Sequence, residues 1–202
     1  MGFVEFHNAN DALIWDKFRE GNANAFEIIY ERNIRVLANY GRRMCPDDEM
    51  VKDAIQDMFV DVWRNRANLG STNSIKYYLI KAYRRNLIKK INASKKFEEH
   101  QESSSYFDGA FQLSHDFAIV EAEMEEVQLV RLNTLIEALP ERQKEALFLR
   151  FYGGLNYTEI SETMGINQQS AHNMVFRALG TLRDKMTYRF ALIILLLNLI
   201  WY

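Results

Sequence analysis

The side chains best suited to reading the edge of a base pair are gathered in one short stretch of the chain. Gln169, His172, Asn173, Phe176 and Arg177 recur at spacings of three and four residues, which places them together on one helix face. Asn, Gln and Arg can each pair bidentately with a base in the major groove. The opposite face carries Ala171, Met174, Val175, Ala178, Leu179 and Leu182, a stripe suited to burial. Upstream, Asn156 followed by Glu159 three residues later predicts a capping box that opens a helix over Tyr157–Met164. Gly165-Ile-Asn167 predicts a tight turn with Gly165 free to take positive φ, and Asn167 can cap a second helix from Gln168 to about Leu182. Two short helices about such a turn, the second with a polar and nearly acid-free outer face, make a helix-turn-helix.

Two further sets of residues lie earlier in the chain. Lys81, Arg85 and Lys89 repeat at i, i+4, i+8, with Arg84 and Asn92 beside them. Like charges stacked in this way weaken an isolated helix, by about 0.2–0.5 kcal/mol per pair, and phosphates would compensate. Tyr77, Tyr78 and Tyr83 are interleaved among them, as core residues or as faces on which unstacked bases can rest. Asp53, Gln56, Asp57, Val60 and Arg64 share one helix face opposite an apolar stripe of Met50, Val51, Ala54, Ile55, Met58, Phe59, Val62 and Trp63. A mixed acidic and polar face of this kind is either solvated surface or an interface.

The elements that must position these groups are helical throughout. Nine Gly and two Pro in 202 residues are too few for a chain of short strands and tight turns. Ala25, Ile28, Ile29, Ile34, Val36 and Leu37 predict a helix that is interrupted near Gly41 to Pro46. Asp47 then caps the next helix, with Asp48 and Glu49 well placed for its dipole. Asn68 to Ser74 reads as a loop, and a helix carrying the basic residues runs from Ile75 towards Ala93. Beyond it, residues 98–125 form an acidic linker. A second helical domain, residues 126–189, opens with Val127, Val130, Leu132, Leu135 and Ile136 as its core stripe, and Pro140 sits in the first turn of its next helix.

Charge is segregated along the chain. The net value of −2 averages over eight bases and no acid in residues 76–96, then nine acids and no base in residues 97–130. Blocks of opposite sign set local fields and so bear on partners more than on fold. The single Cys45 excludes a disulfide framework and a cysteine-based zinc site, and it fits a reducing compartment. His7, His100, His115 and His172 never fall at metal-ligand spacing, so no metal or cofactor is expected. No Ser/His/Asp or Cys/His arrangement and no glycine-rich phosphate loop is present, so the chain reads as no enzyme. With no apolar run at the N-terminus, a cytoplasmic location follows.

Taken together these residues resemble the bacterial sigma-70 family of sigma factors, in its small extracytoplasmic-function group. Asp53, Gln56, Asp57, Phe59 and Trp63 look like the family's polymerase-binding helix. Tyr78-Leu79 followed by Arg85-Asn86 is similar to the Trp-Leu…Arg-Asn core of its −10-recognising helix. Leu139-Pro-Glu-Arg-Gln143, Glu159-Ile160 and Arg177-Ala178…Leu182 match the domain that reads the −35 element. Tyr78 stands where Trp is common, Lys89 where Asp is frequent, and Met174 where Arg often occurs. The resemblance implies an all-α chain of two small helical domains, a region 2-like bundle over residues 10–97 and a region 4-like helix-turn-helix, joined by the acidic linker. It implies binding to core RNA polymerase through Asp53, Gln56, Asp57, Val60 and Arg64. Lys81, Arg84, Arg85, Asn86 and Lys89 would meet the −10 region of promoter DNA as it melts, with the loop Ala67 to Ser74 capturing a flipped-out base. Gln169, His172, Asn173, Phe176 and Arg177 would sit in the major groove at −35. The acidic linker suits the positively lined channel through which the polymerase otherwise passes RNA, and an anti-sigma factor is a further candidate partner.

A competing reading is a helix-turn-helix regulator that acts on DNA without polymerase, with residues 1–97 as a sensing or dimerising domain. It accounts for Asn156–Leu182 but not for the acidic helix followed by a basic aromatic one. The apolar tail 190–202 falls outside the resemblance. Its 13 residues would reach about 20 Å as a helix, short of the roughly 20 residues that a bilayer span needs. No stable membrane span is expected, and the tail is read as a helix that packs on an apolar surface.

Overall fold

The computed structural model describes residues 10–97 and 126–186, which form two separate compact units. Every regular element among the described residues is helical. The first unit holds α1 (Asp11–Arg19), α2 (Ala23–Met44), α3 (Asp48–Asn65), a 3₁₀ turn (Arg66–Asn68) and α4 (Ile75–Phe97). The second holds α5 (Glu126–Glu137), α6 (Glu141–Leu147), a π-helical turn (Phe148–Tyr152), α7 (Tyr157–Met164) and α8 (Gln168–Lys185). The acidic linker 98–125 and the apolar tail 190–202 lie outside the described residues. None of the described helices is long and apolar enough to cross a membrane.

Local chemistry sets the helix starts in the first unit. The Asp47 carboxylate accepts from the Glu49 and Met50 amides at 3.0 and 3.1 Å, and Asp48 and Glu49 occupy the positive first turn of α3. Asn10 and Asn22 cap α1 and α2 in the same way. The four helices close on a core of Ile14, Trp15, Phe18, Ile29, Leu37, Tyr40, Leu79, Ile80, Tyr83 and Leu87, all essentially buried. A run of ring contacts crosses this core. Trp15 meets Phe18 at 5.1 Å, Phe18 meets Phe26 at 5.7 Å, and Phe26 meets Trp63 at 4.9 Å and Phe59 at 5.9 Å. At the far end Trp15 also touches Tyr78 at 4.9 Å.

The interruption expected near Gly41 to Pro46 falls at the end of that stretch: α2 runs on through Gly41, which lies buried within it, to Met44, and the chain leaves the helix at Cys45. Why position 41 is glycine is a steric matter. A Cβ on Gly41 would collide with the hydroxyl of Tyr83, which is fully buried on α4 and donates to the Val51 carbonyl at 3.4 Å. Glycine is there to let α2 and α4 approach. Burial also raises the Tyr83 hydroxyl far above the ordinary tyrosine pKa, so Tyr83 is a core residue and not a surface for bases.

In the second unit α6, α7 and α8 pack around Leu147, Phe148, Leu149, Ile160, Ala171, Val175 and Ala178. Leu132 and Ile136 of α5 are buried as expected, but Val130 is 61% exposed and does not belong to the core stripe. The Arg131 guanidinium ties α5 to the last turn of α8 by donating to the Lys185 carbonyl at 2.8 Å. Pro140 stands at the N-cap of α6, where its missing N–H leaves no donor unpaired, and its carbonyl accepts from Gln143 and Lys144.

The Gly41–Tyr83 contact makes a testable prediction. Gly41→Ala is expected to destabilise the chain by about 1–3 kcal/mol through overpacking. Adding Tyr83→Phe, which removes the colliding oxygen, is expected to recover part of that loss, with a coupling of at least about 0.5 kcal/mol in a double-mutant cycle by denaturant unfolding. Strict additivity of the two changes would contradict the steric account.

Candidate polymerase and nucleic-acid interfaces

Helix α3 presents two neighbouring stripes rather than one face. Asp53, Gln56, Asp57, Val60 and Arg64 are all exposed, as the periodicity requires. Gln56, Val60 and Arg64, at i, i+4, i+8, line a groove of about 670 Å³ between α2 and α3. Its floor is apolar: Phe26, Tyr30, Ile34, Ile55, Phe59 and Trp63. Tyr30 and Val60 remain 43% and 38% exposed at its edge, so apolar surface of the groove is open to solvent. Asp57 turns the other way. Its Oδ2 pairs with Lys90 Nζ of α4 at 2.6 Å. One residue of offset is 100° of rotation on a helix, and that rotation decides which neighbour a side chain meets.

The stripe that continues from Asp57 belongs to a second cavity. Asp61 and Asn65 of α3 join Leu69 of the loop and Tyr78, Arg85, Asn86 and Lys89 of α4 around a polar cleft of about 520 Å³. Three of the five basic-helix residues expected to meet DNA therefore converge on one cleft. Lys81 and Arg84 do not line it. Lys81 instead donates to the Tyr77 hydroxyl at 2.9 Å, from the exposed side of α4. Tyr78 forms part of the wall, half-buried, and burial pushes its hydroxyl above the ordinary value while the Arg85 charge opposes the shift. It is thus a neutral ring at neutral pH. Cations to hold a phosphate, amides and a carboxylate to meet a base edge, and a ring to stack on it are the parts a single unpaired nucleotide needs.

The helix-turn-helix is assembled as its local signals require. Asn156 Oδ1 accepts from the Glu159 amide and Glu159 Oε2 accepts from the Asn156 amide, both at 2.9 Å, completing the capping box. Gly165 adopts φ +66°, and Asn167 Oδ1 accepts from the Ser170 amide at 2.7 Å to start α8. Ala171, Val175, Ala178, Leu179 and Leu182 are buried beneath it, whereas Met174 is only half-buried. Gln169, Asn173 and Arg177 are exposed, with Gln169 Nε2 donating to Asn173 Oδ1 at 3.0 Å. Phe176 is 65% exposed, an apolar ring aimed outward that can meet a thymine methyl. His172 is partly withdrawn. Its ring packs edge-on to Tyr157 at 5.0 Å and parallel to Phe176 at 6.2 Å, and its buried Nδ1 has no hydrogen-bond partner. Behind Tyr157 stands the Arg150 guanidinium, 4.9 Å from the ring centre.

Sequence reasoning missed Asp61 and Asn65 of the unit 1 cleft, and it missed the pairing of Lys90 with Asp57. For Asp61 and Asn65 the signal was present, because they continue the i, i+4 row that begins at Asp57. For the Lys90 pairing no local signal existed, since Lys90 meets α3 only through the packing of α4. The buried Lys144 and Arg150 were likewise invisible: Lys144 pairs with Glu137 at the end of α5, and Arg150 donates to the Leu155 carbonyl.

Comparison with known proteins places each unit. The family model "Sigma-70 region 2" matches residues 29–97 and "Sigma-70, region 4" matches residues 129–182, together more than half of the chain. ECF RNA polymerase sigma factor SigK of Mycobacterium ulcerans is 22% identical over 166 residues, covering 81% of this chain and 87% of SigK. RNA polymerase sigma factor SigF of Mycobacterium tuberculosis is 40% identical over 55 residues, which is 27% of this chain, and the match spans only 21% of SigF. Among solved structures, CnrH in complex with the cytosolic domain of CnrY is similar at TM-score 0.55 and 17% identity, over 86% of this chain and 95% of that one. The sigma factor RpoE in complex with the anti-sigma factor NepR from Bartonella quintana is similar at TM-score 0.55 and 15% identity, over 79% and 94%. At these identities the two structures speak to the fold.

The capping box supports a prediction for the second unit. Asn156→Ala removes one side of the reciprocal pair and is expected to cost about 1 kcal/mol. Thermal unfolding followed by circular dichroism reads this as a lowered midpoint, and an unchanged midpoint would mean that the α7 start is held by packing alone.

Proposed function

The chain belongs to the sigma-70 family, in its extracytoplasmic-function group, and from that premise we propose that it binds core RNA polymerase and directs it to specific promoters. The observation that carries the reading is the double use of α3. Its Gln56–Val60–Arg64 stripe borders an apolar groove fit for a partner helix, and its Asp61–Asn65 stripe borders a cleft fit for an unpaired nucleotide. A protein that must hold polymerase while it opens DNA needs both surfaces close together. A regulator that acts on DNA by itself needs neither.

In this reading Asp53, Gln56, Asp57, Val60 and Arg64 contribute the polymerase surface. Arg85, Asn86 and Lys89 engage the melted −10 strand inside the cleft, with Lys81 and Arg84 on the flanking backbone. Gln169, Asn173 and Arg177 read the −35 element, Phe176 adds an apolar contact, and His172 steadies the Phe176 ring. Residues 10–97 and 126–189 act as the two promoter-reading domains on either side of the acidic stretch 98–125. The chain works in the cytoplasm as a non-catalytic initiation factor, and an anti-sigma factor that occupies the α2–α3 groove would exclude polymerase by competition.

Promoter-dependent run-off transcription with core polymerase tests the proposal. Specific initiation is expected only when the chain and core are both present. Specific DNA binding by the chain alone, with no transcription on adding core, would instead identify a helix-turn-helix regulator.

Two predictions separate the surfaces. Asp57→Lys is expected to abolish core binding in a pull-down, by placing like charge at a complementary interface. It also breaks the Asp57–Lys90 pair, so Lys90→Ala serves as the control and is expected to retain core binding. An exposed pair of this kind contributes at most about 1 kcal/mol, so both variants stay folded. Normal core affinity of Asp57→Lys would remove α3 from the interface. Arg177→Ala and Asn173→Ala are each expected to weaken −35 recognition by about 1–3 kcal/mol while leaving core binding intact. Wild-type promoter strength in both would dismiss α8 as the recognition helix.

A further inference from the structure

Helix α1 lies ahead of residue 29, where the region 2 match begins, and nothing about its composition suggests a role in reading DNA. Its contacts do. The Trp15 indole N–H donates to the Gly70 carbonyl at 2.8 Å, across 55 residues of chain. The Trp15 ring, fully buried, packs at 4.9 Å against Tyr78. The Asp11 carboxylate accepts from the Ile75 amide at 2.8 Å, capping α4 from 64 residues away. Gly70 and Ile75 bracket the loop between the 3₁₀ turn and α4. Leu69, next to Gly70, lines the nucleotide cleft, and so does Tyr78. Trp15 therefore stands directly behind two walls of the cleft and touches both chain segments that form them.

Within the loop the remaining hydrogen bonds described are short-range: Thr72 Oγ1 with the Ser74 backbone, the Tyr77 amide with Ser74 Oγ, the Leu69 amide with the Arg66 carbonyl and the Tyr78 amide with the Ser74 carbonyl. Bonds of that kind shape a turn but do not fix where the turn sits relative to α3. A loop free to move would have to be ordered each time a nucleotide enters, at an entropic cost that weakens binding and blurs discrimination.

We propose that Trp15 and Asp11 are positioning residues for base capture: α1 clamps residues 69–75 and Tyr78 in the geometry that accepts one unpaired nucleotide of the melted strand. The inference rests on the promoter-opening function proposed above. Neither residue touches the nucleotide. They act through Gly70, Tyr78 and the first turn of α4, and so govern how sharply the cleft distinguishes one base from another.

The test uses the full chain with core polymerase on a library of templates randomised across the −35 and −10 elements, with transcripts counted by sequencing. Trp15→Phe keeps a ring in the core and removes the indole donor. Asp11→Ala removes the cap on α4, and Asp11→Asn keeps an acceptor in its place. Wild type is expected to enrich particular bases in both elements. Trp15→Phe and Asp11→Ala are expected to lower the enrichment at one −10 position at least fivefold, with the −35 preference and core affinity unchanged, and Asp11→Asn to restore most of it. Enrichment profiles that match wild type in both Trp15→Phe and Asp11→Ala would overturn the proposal. So would an even loss across both elements with reduced core affinity, which marks a merely structural role. If wild type itself enriches no base, the promoter-opening reading fails first, and the two failures are told apart.

Discussion

The first unit depends on the chain of rings that runs through Trp15, Phe18, Phe26 and Trp63. Each ring brings a large apolar surface; the Trp15–Phe18 and Phe26–Trp63 contacts are tilted, which suits their quadrupoles, and Phe18–Phe26 is near-parallel at 5.7 Å. The chain starts in α1, passes through α2 and ends in α3, with a branch from Trp15 to Tyr78 of α4. All four helices are thus held by one connected cluster. Its two ends emerge at the two candidate surfaces, Phe26 and Trp63 in the groove between α2 and α3, and Tyr78 in the cleft between α3 and α4. Packing that stabilises the bundle is also the packing that shapes both sites.

Two surfaces of opposite character can share α3 because a helix turns 100° per residue. Gln56, Val60 and Arg64 face α2 across an apolar floor, while Asp57, Asp61 and Asn65 face α4 and its cations. The separation by a single residue explains why Gln56 lines the groove while Asp57 turns to Lys90. The Asp57–Lys90 pair sits on the seam between the two sides. As an exposed ion pair it adds little stability, and its consequence is to orient a lysine of the basic helix toward α3.

The second unit follows a different logic. Its helix α8 is placed by short-range structure: the reciprocal Asn156–Glu159 pair, the left-handed Gly165 and the Asn167 cap. Beneath these lies a small core closed by α6 and the π-helical turn, where the Gly153 amide bonds back to the Phe148 carbonyl. Arg150, Tyr157, His172 and Phe176 then form a column from the core to the surface, so the most exposed ring on α8 is supported from behind.

The sequence by itself determined what short-range physics controls. The all-helical class, the start of α3 at Asp47, the capping box, the Gly165 turn and the outward set Gln169, Asn173, Phe176 and Arg177 all follow from caps and periodicity that act within four residues. Tertiary structure alone decided that position 41 must be glycine because Tyr83 fills the space beside it, that Val130 stays exposed, and that His172 leans on Tyr157. It also decided that Asp57 meets Lys90, that Arg85, Asn86 and Lys89 share a cleft with Asp61 and Asn65 while Lys81 does not, and that α1 reaches Gly70 and Ile75. These are contacts between residues distant in the chain, set by how helices rotate and approach when their apolar faces are buried together, and no pattern within a single helix encodes them.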